Sequence, residues 1–138
     1  MKLPNLERAA ELGRALRRVR DSILKQDPTG RTTRIWFQGP EPYLDALFEE
    51  SGGGLTWFPV TLRGRALTWD VSRGFIVTGH TGELTVDDPL APASKTIVSD
   101  ADSEREVVEV VWRMLAARAG EAPFDAAAAV LARWLEGR

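Results

Sequence analysis

Between residues 54 and 86 the chain runs in short segments of alternating apolar and polar residues, each closed by a glycine-containing turn. Phe58, Val60 and Leu62 occupy every second position, with Leu55 and Trp57 on the opposite parity. Arg63-Gly64 precedes a second run in which Leu67, Trp69 and Val71 alternate, and Ser72-Arg73-Gly74 precedes Phe75-Ile76-Val77. Gly79-His80-Thr81-Gly82 reads as a third turn, followed by Leu84 and Val86. A period of two is the mark of a strand with one buried face. Turns this short cannot hold a crossover helix, so the strands must be antiparallel neighbours in a meander. Pro59 favours an edge or bulged position for its strand.

The flanks carry a different period. Asn5 is a helix N-cap candidate, and Leu6, Ala9, Leu12, Leu16, Val19 and Ile23 recur at helical spacing, which predicts a long helix over about 5–26, ended by Asp27-Pro28-Thr29-Gly30. Gly13 beside that stripe offers a place where another element can approach closely. Thr33–Gln38 is rich in β-branched and aromatic residues and predicts a strand, and Pro42–Phe48 has the spacing of a short helix. After a loop at 87–94 and a short strand near Thr96-Ile97-Val98, Ser103 and Glu106 suggest a capping box. Two helices follow, one on Val107, Val108, Val111, Met114 and Leu115, the other from Pro123 through Phe124, Leu131, Trp134 and Leu135. Strands grouped together and then helices indicate an α+β fold. The expectation is a meander of four to six strands with a long N-terminal helix and two C-terminal helices packed on it, as one domain over 1–138.

The 138 residues contain no cysteine, which excludes disulfides and thiolate chemistry. The start, Met1–Glu7, lacks the apolar stretch of a signal peptide, and charges interrupt every apolar run, so the expectation is a cytoplasmic protein without a membrane segment.

Chemistry-bearing motifs are few. Gly52-Gly53-Gly54 lies before a strand, whereas phosphate-cradling loops place glycines before a helix. The acidic runs Asp87-Asp88 and Asp100–Glu104 lack the pattern of a calcium loop and suit solvation or helix capping, so no metal and no cofactor are expected. Asp70-Val71-Ser72-Arg73-Gly74 superficially resembles a segment of PilZ domains, but Phe75 replaces the final glycine and no R-x-x-x-R motif precedes it. The lone histidine, His80, sits between glycines and has no evident orienting partner.

Two features favour binding over catalysis. Nine basic and four acidic residues lie up to Arg34, although the whole chain has a net charge of −2. Arg14, Arg17 and Arg18 thus suit an acidic surface, while Glu7, Glu11 and Asp21 interrupt the patch and disfavour nucleic acid. Five tryptophans are many for this length, and Trp57 opposes the Phe58-Val60-Leu62 face. If helices cover one face, either Trp57 or Phe58 is left outside. The sequence reading is a protein–protein interaction module (an adaptor, dedicated chaperone or immunity-type protein) without catalytic activity. Arg14, Arg17, Arg18, Trp57, Arg63 and Arg65 are the candidate contact residues, and the partner is another protein or a second copy in a homodimer. The alternative is a small-ligand or nucleotide-binding domain or enzyme, with a pocket near His80 and Arg65 and with Asp70 contributing.

Overall fold

The computed structural model describes residues 2–19, 31–81, 97–99 and 104–137. Helix α1 (Leu6–Arg14) is followed by strands β1 (Arg17–Arg18), β2 (Thr32–Gln38), β3 (Asp45–Ser51), β4 (Gly54–Leu62), β5 (Arg65–Asp70), β6 (Ile76–Thr81) and β7 (Ile97–Ser99). Helices α2 (Arg105–Ala116) and α3 (Ala122–Glu136) complete the order. The described strands form one antiparallel sheet in sequence order, β1 to β7. The α+β meander with two C-terminal helices is therefore present. Six strands have three or more residues, the upper end of the expectation, and the two-residue β1 is additional.

Turn chemistry explains the register. Gly52 and Gly53 have φ of 63° and 85°, and Arg63 and Gly64 have 49° and 76°. Two consecutive left-handed residues are what a two-residue hairpin loop requires. These turns set Ser51 opposite Gly54 and Leu62 opposite Arg65.

Alternation then sorts the faces. Phe37, Ala46, Phe48, Phe58, Val60, Leu62, Leu67 and Ile76 point to one side and are buried. All three helices pack there through Ala9, Leu12 and Leu16, Val107 to Leu115, and Phe124, Ala127 and Leu131. Phe48 meets Phe37, Phe58 and Phe124 with ring centroids 5.9, 6.2 and 5.0 Å apart, mostly edge to face. The amide of Glu104, the N-cap of α2, donates to the buried Thr78 Oγ1 on β6.

Five expectations need correction. The N-terminal helix is short and stops at Arg14, and the remainder of the expected span beyond residue 19 lies outside the described residues. Beyond the helix Arg17 and Arg18 pair with Gln38 and Phe37 of β2 and the Val19 amide donates to the Trp36 carbonyl, while Arg118 Nη1 caps the end by donating to the carbonyls of Gly13 and Leu16 (3.1 and 2.6 Å). Segment 42–48 is a turn leading into β3, since pairing with β2 and β4 on both sides outweighs a helical spacing only seven residues long. His80 lies within β6 rather than in a turn. Pro59 lies in the central strand β4, and the β3–β4 register shifts nearby, between Glu49 and Glu50. The N-cap of α2 is Glu104 and makes no side-chain cap; Ser103, Leu84 and Val86 lie outside the described residues.

Gly13 is where α1 and α2 touch. A Cβ added there would run into the Met114 carbonyl oxygen. Alanine usually gains about 1 kcal/mol over glycine in a helix, but here the helices must separate. We expect Gly13→Ala to lower unfolding free energy by about 1–3 kcal/mol in urea titrations. Stability equal to or above that of the parent would contradict the close contact.

Candidate functional site

The opposite face of the sheet carries no helix among the described residues. Its side chains come from the other parity of each strand, so strand register arranges them in rows. Arg34 opposes Glu49, Glu49 opposes Trp57, and Trp57 opposes Asp70, giving one row across β2 to β5. The neighbouring row is apolar: Trp36 opposes Leu47, and Pro59 opposes Thr68, which opposes Val77. Of the five tryptophans, Trp69, Trp112 and Trp134 pack against the helix-side core, whereas Trp36 and Trp57 stand on the open face. Phe58 is fully buried, so the outward residue of the Trp57/Phe58 pair is Trp57.

Polar contacts fix these rows. Arg34 Nε donates to Glu49 Oε2 at 3.1 Å, and its guanidinium lies 5.4 Å from the Trp57 ring centroid. Thr56 Oγ1 donates to Glu49 Oε1 (3.0 Å), and Trp36 Nε1–H donates to Asp45 (3.0 Å). Cation–π contact at such an exposed site is worth about 0.5–1 kcal/mol. It biases the indole towards this position and adds little to stability.

Two concavities share Trp57 and Asp70. One, of about 280 Å³, is lined by Trp57, Thr68, Asp70, Arg73, Phe75 and Val77. The other, of about 430 Å³, extends past Arg34, Glu49, Ser51 and Thr56. Together they form a groove running across the strands. Phe75 at its end is 53% exposed, an unusual position for a phenyl ring. The Ser72 amide and hydroxyl both donate to Asp70 Oδ1, at 2.9 and 2.8 Å. These bonds, followed by the charge of Arg73, hold the Asp70 carboxyl below its ordinary range.

The other candidates lie elsewhere. Arg65 and His80 are cross-strand partners at the other end of β5, on the helix side, and Arg65 pairs with Glu104. Arg65 Nε is buried without a hydrogen-bond partner among the described residues. Asp70 is on the opposite face, so it does not join His80 and Arg65. Arg63 sits in the β4–β5 turn, donating to both oxygens of Glu41 (2.9 and 2.7 Å) and to the Lys2 carbonyl. Arg17 and Arg18 line a separate concavity at the β1 edge with Gln38 and Pro40, and exposed Arg14 ends α1 nearby in the chain. Arg34, Glu49, Phe75 and Val77 were not among the sequence candidates. Parity carried the signal, since Arg34 and Trp36 oppose the inward Ile35 and Phe37.

Among the described residues no group of three or more metal-capable side chains converges, and no helix is long and apolar enough to cross a membrane. No protein-family model matches the chain, and neither the curated proteins nor the solved structures contain a significant match.

Two acid titrations test these contacts. Ser72→Ala should raise the Asp70 titration midpoint towards its ordinary 3.8, read by carboxyl NMR, and an unchanged midpoint would contradict the Ser72 bonds. The Arg63 hydrogen bond likewise holds Glu41 below its ordinary 4.5. The resulting stabilisation is present above pH 4.5 and is lost as pH falls through the lower folded value. Glu41→Gln should therefore flatten the loss of stability on that acid limb, and an unaltered slope would count against the pair.

Proposed function

We propose that this chain is a protein–protein interaction module that receives its partner on the open sheet face. The observation that carries the reading is the row Trp36, Leu47, Pro59, Thr68 and Val77, left without a helical cover among the described residues while the opposite face takes all three helices. The five residues are half-buried, and contiguous apolar surface of this sort marks sites of association. Trp57 and Phe75 add aromatic anchors at the groove end, the residue types that dominate interface energetics.

The concavity beside Phe75, of about 280 Å³, suits one side chain set into a broad surface, while the adjoining one of about 430 Å³ falls within the size range of small-molecule sites. The groups of the ligand-pocket alternative are divided between the two faces, which supports a binding role over a catalytic one. The role proposed is that of an adaptor, a dedicated chaperone or an immunity-type protein.

The test is affinity capture from the native cells with three variants compared in parallel. A partner recovered at one-to-one stoichiometry should bind at least about tenfold more weakly to Trp57→Ala and to Val77→Arg. It should bind normally to the double variant Arg17→Glu, Arg18→Glu, with all proteins melting cooperatively. Retention by the open-face variants together with loss in the double-arginine variant would move the interface to the β1 edge and overturn the reading.

A further inference from the structure

The row across β2 to β5 is electrically incomplete. On one side of the Trp57 indole, Glu49 is neutralised by Arg34, whose guanidinium also lies over the ring. On the other side Asp70 receives only the Ser72 amide and hydroxyl, both at Oδ1, and no basic side chain pairs with it among the described residues. Arg73 acts on it through space, from an exposed position on the groove rim. The order across the strands is therefore cation, carboxylate, indole, carboxylate, with the second cation missing. We infer that the Asp70 end of the groove takes an arginine side chain of a partner protein, with its guanidinium between the Asp70 carboxylate and the Trp57 indole.

The inference rests on the open-face reading and specifies the partner's chemistry. Arginine suits the place better than lysine, because a planar guanidinium can stack on an indole while forking to a carboxylate. Arg34 already bridges a carboxylate and the same indole in this row, through a single Nε bond to Glu49 and a guanidinium 5.4 Å from the Trp57 ring centroid. The concavity of about 280 Å³ admits one long side chain, whose methylene stem would lie along Phe75 and Val77. The Asp70 carboxyl, held below its ordinary range by the Ser72 bonds, carries its negative charge at neutral pH as an unperturbed aspartate also would. Arg73 supplies partial compensation in the free protein and competes with the incoming guanidinium.

The experiment is an NMR titration of the full chain with two capped peptides, acetyl-Leu-Gly-Arg-amide and acetyl-Leu-Gly-Gln-amide. The arginine peptide should shift the Trp57 indole N–H and the amides of residues 70–77, saturating with a Kd of about 1 mM. The glutamine peptide should bind about fivefold more weakly. Asp70→Asn should weaken the arginine peptide about two- to threefold, leaving the share owed to the Trp57 indole, without altering the glutamine peptide, and Arg73→Ala should tighten the arginine peptide about twofold. Equal binding of both peptides at these residues would overturn the arginine assignment while leaving the open-face reading. Shifts confined to the helical layer would overturn both, and the lack of any saturable shift would overturn the arginine assignment. Concentration-dependent shifts of the same residues without peptide would identify a second copy of this chain as the occupant, and so overturn the assignment to another protein.

Discussion

Phe48 holds the centre of the contact on which both faces depend. Its ring touches Phe37 and Phe58 on neighbouring strands and Phe124 on α3, and Arg118 caps the cluster with its guanidinium 4.8 Å from the Phe124 ring and 5.5 Å from Phe37. Arg118 then reaches the carbonyls at the end of α1 and pairs with Glu121. One side chain thus joins the sheet, α1 and the α2–α3 connection. With the helices committed to that side, the strand parity opposite Phe48 and Phe58 carries no helix among the described residues, and its buried side chains are those of Thr61, which donates to the Tyr43 carbonyl, and Ala66.

That commitment gives the open face its character. A sheet face meant only for solvent would alternate polar residues outward, yet Trp36, Leu47, Pro59 and Val77 lie outward here. The charged residues on the same face are organised rather than scattered, since register places Arg34, Glu49, Trp57 and Asp70 in line. The ion pair in that row contributes little energy at its exposure, because water screens it. Its effect is orientation, since the guanidinium also lies 5.4 Å from the Trp57 ring centroid.

Much of this was legible in the sequence because a meander is written locally. The period-two runs and glycine turns after residue 54 specify hairpins without reference to distant residues, and Asn5 caps α1 by accepting from the Arg8 amide as its type suggests. The fate of the Trp57/Phe58 pair follows once helices occupy one side. What failed was set by pairing with other strands. Leu16 continues the helical spacing and is buried in the same core, yet the residues after it pair with β2, Arg17 opposite Gln38 and Arg18 opposite Phe37. Leu47 and Phe48 fit a helical period, but pairing on both sides of β3 turns them to opposite faces. The candidate site suffered similarly: Trp57 and Asp70 were singled out for separate reasons, and only the register makes them neighbours.

The central claim is that Trp57, Trp36 and Phe75 face outward while Phe48, Phe58 and Phe124 are enclosed. Hydroxyl-radical footprinting of the isolated, monomeric protein, read by mass spectrometry, tests it directly. The account predicts oxidation of Trp57, Trp36 and Phe75, with Phe48, Phe58 and Phe124 modified only after unfolding. Trp57 and Phe75 protected as fully as Phe58 in the free monomer would show that the chain covers this face itself, and would contradict the account.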